Sequence, residues 1–231
     1  MSAGDTKASV DARARLLARG VGRALVDEVV RRAAAAVPDR LRQGYGAQVV
    51  VDLGSGSGDV LGELARVRPI EGIGIELSTA AAEHAAKRFP ALTWVVANAD
   101  RRLPLLDDST SIVLSVHGRR NPQECARVLM PGGNLLVAIP APDDLAELRE
   151  QVQGERVERD RGDALIAEHA PFFTVRERVT VRERPRLNRD VLKDLLRGTY
   201  RGERRKDAER VEALGDLDVT LASDVFLLGL S

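Results

Sequence analysis

Val49-Val50-Val51-Asp52-Leu53-Gly54-Ser55-Gly56-Ser57-Gly58-Asp59 is the stretch on which the fold turns. Three valines closing on an acid read as a buried parallel strand, and glycine at alternate positions after it reads as a tight turn feeding a helix from Asp59. Glycine lets a backbone turn sharply and approach a ligand where a Cβ would collide, so the loop is built to hold something. A dinucleotide fingerprint would place its third glycine at position 59, which is Asp, and no Gly-Lys-Ser/Thr follows to make a phosphate loop. The plain alternative is a glycine turn with no ligand.

Upstream, Ala14, Leu17, Val21, Leu25, Val29 and Ala33 recur at helical spacing over residues 11–37. This predicts one helix, or two broken near Gly20 and Gly22, after a disordered tail at residues 1–10. Gln43-Gly44-Tyr45-Gly46 makes the turn into the valine strand. Downstream, Val60, Leu61, Leu64 and Val67 give a helix, and Gly72-Ile73-Gly74-Ile75-Glu76 a second buried strand that also ends in an acid. A carboxylate at that edge faces the crevice and accepts ribose hydroxyls in dinucleotide folds; otherwise Glu76 is a surface acid beside the helix cap Ser78.

The alternation continues with a helix over residues 78–89, a strand over 92–97 emptying into Asn98-Ala99-Asp100, and a strand over 112–116 running into His117-Gly118-Arg119-Arg120. A helix over 122–130, a Pro131-Gly132-Gly133 turn and a strand over 134–139 complete five strand-helix units. The expected fold is α/β, a Rossmann-like doubly wound parallel sheet with ligands outside the carboxyl ends of its strands. Beyond Pro140 the period changes. Residues 143–152 and 188–196 read as helices, the latter capped by Asn188; 172–181 alternates like an antiparallel edge strand, and 218–230 is a last strand. The organisation expected is an N-terminal helical segment at 11–45 and one ligand-binding domain at 46–231, with 154–215 partly a substrate-side insertion.

The 231 residues balance 35 basic against 35 acidic side chains, so overall charge selects no class of partner. Cys125 is the lone cysteine, which excludes an intrachain disulfide framework or a multi-cysteine zinc site, and it reads as a small buried apolar residue. No secretory h-region or long apolar run is present, and a cytoplasmic location is expected. Charge is unevenly placed: residues 11–45 carry 8 basic and 4 acidic residues, 176–210 carry 13 and 7, and 46–150 carry 10 and 14. Basic flanks beside the cleft would bind RNA phosphates; the other reading is a solvated set of local ion pairs, as in Arg176-Glu177-Arg178.

Asp-x-Gly-x-Gly-x-Gly after an apolar strand resembles motif I of class I S-adenosylmethionine-dependent methyltransferases. Arg101-Arg102-Leu103-Pro104-Leu105-Leu106-Asp107-Asp108 and Arg127-Val128-Leu129-Met130-Pro131-Gly132-Gly133 are similar to further stretches of that family. Over residues 12–229 the chain resembles, more narrowly, the bacterial large-subunit ribosomal RNA guanine-N1 methyltransferases. Lys87-Arg88-Phe89-Pro90, Ala126-Arg127-Val128 and Leu145-Ala146-Glu147-Leu148 after Pro140-Ala141-Pro142 carry that likeness. The resemblance implies the class I fold with its closing antiparallel hairpin and helical additions, and S-adenosylmethionine as cofactor. It places Asp52, Gly54, Ser55, Gly56 and Gly58 at the methionine portion and loop, Glu76 with Leu77 at the ribose, Asn98, Ala99 and Asp100 at the adenine, and Ser115 at the end of strand four. His117, just past strand four, is the candidate general base, with a loop histidine of no role as the alternative. Arg119 and Arg120 are candidates for an anionic substrate; His84 and His169 read as structural or solvent-exposed. No metal is expected.

Two departures bear on the acceptor. The relatives begin with a cysteine-rich zinc module that these residues lack, and they carry an aspartate where Ser111 stands and an aromatic-Ala-Pro-like segment where His117-Gly118-Arg119 stands. Both of the latter changes are expected near the reacting centre. The acceptor is therefore RNA or a small molecule, and a non-catalytic cofactor-binding module is the remaining alternative.

Overall fold

The computed structural model describes residues 6–37, 48–154, 160–199 and 214–231. The turn expected at 43–46 lies outside them, as do residues 1–5 of the expected tail. Eight helices and nine strands are seen among the described residues. The first helix, α1 (Lys7–Ala18), starts earlier than its periodicity suggested, because Thr6 Oγ1 caps it by accepting from Ser9 N at 3.2 Å. Residues 7–10 of the expected tail are therefore helical. The break before α2 (Arg23–Ala36) falls where glycine allows it, with Gly20 and Gly22 both at positive φ.

The strand-helix alternation follows the expected order: β1 (Gln48–Leu53), α3 (Asp59–Val67), β2 (Ile70–Glu76), α4 (Thr79–Arg88), β3 (Thr93–Val96), β4 (Thr110–Val116), α5 (Pro122–Val128) and β5 (Leu129–Pro140). Ser78 caps α4 and Asn121 caps α5, with Pro122 in the first turn of α5 where its missing N–H costs nothing. The start of β5 absorbs the expected Pro-Gly-Gly turn: pairing with β4 jumps from Leu129 to Asn134, across Gly132 at φ +79°. Next come α6 (Ala146–Gln153), α7 (Gly162–His169), β6 (Phe173–Glu183), β7 (Arg186–Leu187), α8 (Arg189–Thr199), β8 (Leu217–Asp218) and β9 (Leu221–Leu230). The helix α7 and the short β7–β8 ladder were not anticipated.

The large sheet runs β3-β2-β1-β4-β5-β9-β6. Strands β1 to β5 pair in parallel, and β9 is antiparallel to both β5 and β6. The chain leaves β1 for β2 on one side and returns to β4 on the other, so the carboxyl ends of β1 and β4 flank the crevice where such folds bind ligands. This is the class I methyltransferase architecture with its closing antiparallel hairpin.

Alternation along the strands builds a core on each face. Val51, Val113, Leu135 and Phe226 pack with Cys125 and Val128 of α5 and Leu165 of α7. Their neighbours Val50, Ile112, Leu136 and Val225 pack with Val29 of α2 and Leu61 and Leu64 of α3. A third cluster joins α1, α6 and α8 through Leu16, Leu148, Val152 and Leu192. It forms a helical cap beside the carboxyl ends of the strands, pinned by Arg15 of α1, whose guanidinium donates to both oxygens of Asp194 on α8 at 2.6 and 2.9 Å.

Candidate active site

The carboxyl ends of β1, β2, β4 and β5 open into one cleft of about 1270 Å³, walled on its far side by α1, α8 and the segment after β5. A single ligand fills roughly 300–1,000 Å³ in most sites. This cleft has room for two reactants.

The glycine loop is the floor. Gly54, Gly56 and Gly58 adopt φ of +70°, +55° and +78°. The loop is laced to β2: Gly54 N donates to Ile75 O at 2.8 Å, and Gly56 N donates to Glu76 Oε2 at 2.9 Å. The other Glu76 oxygen accepts from Ser78 N at 2.8 Å. Glu76 is 6 % exposed, so it is no surface acid: it fastens the loop to the start of α4 and keeps a free lone pair on each oxygen toward the cleft. The loop following β4 comes equally close, since a Cβ on Gly118 would lie 2.5 Å from Leu53 O.

Asp52 is the penultimate residue of β1 and is 2 % exposed. Burial, and after it the charge of Glu76, push its carboxyl up to about 7. Two carboxylates thus line the floor, and the Asp52 carboxyl has no cation against it there. The neighbouring Asp59 is already satisfied by Ser57 Oγ at 2.5 Å and by the Arg88 guanidinium.

Most of the residues expected from sequence line the cleft: Asp52, Gly54, Ser55, Gly56, Glu76, Leu77, Asn98, Ala99, Asp100 and His117. Gly58 and Ser115 stand behind it. Gly58 backs onto Trp94, whose ring a Cβ would meet at 2.4 Å, and the fully buried Ser115 Oγ donates to Gly118 O at 3.4 Å. The Ser55 hydroxyl is buried without a partner, on the side where a Cβ at Gly74 would come within 2.9 Å of it. Asn98 shapes its own turn, its Oδ1 accepting from Asp100 N at 2.9 Å. Asp100 pairs with Arg119 at 2.6 Å. Leu77 stays 47 % exposed, an apolar plate at the cleft edge.

His117 has φ +52° and its Nε2 lies 2.9 Å from Ser223 Oγ. His117 is an exposed residue of the cleft wall; what desolvation it has lowers its imidazolium, so the ring is neutral at pH 7. Arg120 turns away from the cleft, donating from Nε to His169 Nε2 at 3.0 Å, while His169 Nδ1 is 2.8 Å from Leu165 O. His169 is 1 % exposed, a structural histidine.

The structure corrects the expectation at Ser111. It lies at the amino end of β4, fully buried, donating to Val49 O at 2.8 Å, at the opposite end of the strand from the carboxyl-end loops. Its difference from the relatives therefore does not touch the reacting centre, and the case for a non-catalytic module loses its main support. Sequence reading missed Asp144, Leu145, Ala222 and Ser223, which form the cleft wall opposite Asn98. No local pattern marks them, because β9 reaches the cleft only by inserting beside β5.

Residues 50–133 match the methyltransferase domain family. The chain is 36 % identical over 196 residues to the 23S rRNA (guanine(748)-N(1))-methyltransferase of Streptomyces fradiae, an alignment covering 82 % of this chain and 66 % of that one. This chain belongs to the S-adenosylmethionine-dependent methyltransferases. A candidate 23S rRNA (guanine-N(1)-)-methyltransferase of Micromonospora griseorubida is 34 % identical over 71 % of this chain and 58 % of its own length. The methyltransferase thus spans about two thirds of the first relative and less of the second. Its fold is shared with a crystal structure of a SAM-dependent methyltransferase from Thiobacillus denitrificans in complex with S-adenosyl-L-homocysteine, with a TM-score of 0.53 at 18 % identity over 88 % of this chain and 91 % of that one.

The floor fits this methyltransferase's cofactor, S-adenosylmethionine. Among the described residues the buried Asp52 carboxyl has no cation against it, Glu76 keeps acceptor capacity beyond its two backbone donors, and the glycine loop leaves room for a ligand to approach, features that suit a cationic, hydroxyl-bearing cofactor. Among the described residues no group of three or more His, Cys, Asp or Glu side chains could hold a metal ion, and no helix is long and apolar enough to cross a membrane.

Proposed function

We propose that this protein methylates N1 of a guanine in large-subunit ribosomal RNA, with the cofactor held by the glycine loop, Asp52 and Glu76. The identity to the Streptomyces fradiae protein over most of this chain carries the reading. Charge layering in the cleft supports it. The carboxylates of Asp52 and Glu76 are buried at the floor, whereas Arg161 and Arg197 stand exposed at the mouth. An acidic floor suits a cationic donor and an arginine rim suits a phosphate-bearing acceptor.

The basic segments contribute less than their counts suggest. Arg15, Arg23, Arg178 and Arg182 are held by Asp194, Asp27, Asp224 and Asp143. Most of these pairs bridge separate elements rather than neighbours in sequence, so they brace the fold.

Bound S-adenosylmethionine supplies an electrophilic methyl group that needs no metal. The protein's part is to orient: Asp52 and Glu76 fix the donor, Leu77 shields one edge, and the wall from His117 to Ser223 faces the acceptor. The test is transfer of labelled methyl to deproteinised ribosomal RNA and, in parallel, to a small-metabolite extract. Reverse transcription should then stop at one guanine, because a methyl on N1 blocks base pairing. Label confined to the metabolites would make the acceptor a small molecule, and label in neither pool would overturn the reading.

A further inference from the structure

The wall opposite the cofactor floor contains a buried carboxylate that the cofactor reading does not use. Asp144 follows β5 and is 9 % exposed, with its side chain lining the cleft. Its Oδ1 accepts from Ala222 N at 3.0 Å, and its own N donates to Ala141 O at 3.1 Å. Ala141 N in turn donates to Ala222 O at 2.9 Å, so the carboxylate is clamped to β9. Among the described residues its Oδ2 has only the Arg149 guanidinium in range, at 3.9 Å, beyond hydrogen-bond reach. Next along β9, Ser223 Oγ meets His117 Nε2. Asp144 and His117 thus bracket one edge of β9. Two of the three non-glycine residues at positive φ among the described residues, His117 and Leu145, belong to this wall, and such conformations gather where a backbone is held for function.

We infer that Asp144, His117 and Ser223 form a guanine-reading site in which the Asp144 carboxylate accepts the base's N1–H and 2-amino group and removes the N1 proton. This deepens the proposed function and rests on it for the acceptor. The Watson–Crick edge of guanine presents two adjacent donors and one acceptor, O6. A carboxylate complements the two donors, and the His117–Ser223 pair, which shares at least one proton beyond its mutual hydrogen bond, supplies a donor for O6. Adenine would set its N1 lone pair against the carboxylate, and uracil offers one donor between two acceptors, so both are rejected by unpaired buried groups.

The transfer balances without a further reactant. The N1–H bond breaks and leaves its electron pair on the ring nitrogen, and the proton moves to Asp144 Oδ2. That nitrogen pair forms the new bond to the methyl carbon, while the carbon–sulfur pair stays on sulfur. The groups facing Asp144 are Asp143, Arg149, Arg161 and the Ala222 amide, with His117 neutral on the same wall. Burial outweighs them and raises the Asp144 carboxyl to about 6, close to neutrality, where a general base is most effective.

The test compares the wild-type chain with Asp144→Asn, whose amide oxygen can still accept from Ala222 N and keep the clamp. With S-adenosyl-L-homocysteine present, binding of guanosine, inosine and adenosine monophosphates is measured by ligand-detected NMR. Wild type should prefer guanosine over inosine, which lacks the 2-amino group, by about tenfold and bind adenosine least; the variant should lose the preference. In single-turnover methylation of ribosomal RNA with S-adenosylmethionine kept saturating at every pH, so that titration of Asp52 does not enter, the wild-type rate should fall tenfold per pH unit below about 6, and the variant should be at least 100-fold slower without that acid limb. An unchanged nucleotide preference in Asp144→Asn, or an unchanged rate and pH profile, overturns the inference. Guanosine selectivity that depends on Asp144 in a protein that methylates no RNA would instead uphold the reading site and sink the proposed function.

Discussion

Asp52→Asn separates what the cofactor floor does for binding from what it costs the fold. In the folded protein the Asp52 carboxyl titrates at about 7 instead of its ordinary 3.8. Between those values the native state holds a proton that the unfolded chain has lost, so stability falls as pH rises through this window and is level above and below it. At 1.36 kcal/mol per pH unit, the two units from pH 5 to pH 7 amount to up to about 3 kcal/mol. Asparagine has the same shape and no charge. Urea unfolding of both proteins at pH 5 and pH 8 should therefore show the variant gaining on wild type by up to about 3 kcal/mol at the higher pH. Cofactor affinity should move the other way. A cation binds the ionised carboxyl, so wild-type affinity by calorimetry should weaken about tenfold per pH unit below 7, and Asp52→Asn should bind weakly with no such slope. Parallel stability curves and parallel binding profiles for the two proteins would refute the assignment of an ionisable, unpaired Asp52 to the floor.

Other expected outcomes follow from single contacts. Glu76→Ala removes the acceptor shared by Gly56 N and Ser78 N and should weaken cofactor binding at least 100-fold by calorimetry, since hydrogen bonds to a charged group are worth about 1.5–3 kcal/mol each; a change within twofold would contradict the lacing of the loop. Gly118→Ala drives a Cβ against Leu53 O and should cost about 1–3 kcal/mol in chemical unfolding while also lowering cofactor affinity; an unchanged midpoint would mean that the two loops are not in contact. Ser111→Ala should cost about 1 kcal/mol of stability and leave cofactor affinity and methyl transfer unaltered, and a loss of activity without loss of stability would return Ser111 to the reacting centre.

What could be read in the sequence was what depends on short-range pattern. The valine run, the acids near the ends of β1 and β2, and the caps at Ser78 and Asn188 each declare themselves within a few residues, and the doubly wound parallel sheet follows from the strand-helix alternation. The floor of the cleft was legible for the same reason, since Asp52, the loop and Glu76 come from consecutive units. The opposite wall was not. Asp144 and Ser223 meet because β9 docks antiparallel on β5, and nothing near either residue signals that pairing. Helix α7 was hidden in a charged stretch whose apolar side, Leu165 and Ile166, is too short to show a period. Ser111 misled because likeness to relatives says which strand a residue occupies and not which end of it faces the ligand.

The place of β9 also sets a timetable for synthesis. Strand β6 emerges first, ending at Glu183, yet its partner in the large sheet among the described residues is β9, which begins at Leu221. Until that later segment leaves the ribosome, the nascent sheet presents the outer edge of β5 unpaired, with Leu135 and Val137 beside it. Such an edge invites pairing with other chains. Completion of the sheet and closure of the cleft wall at Ser223 are then one event, so a nascent chain without β9 lacks the acceptor wall at the same moment that it is most exposed to aggregation.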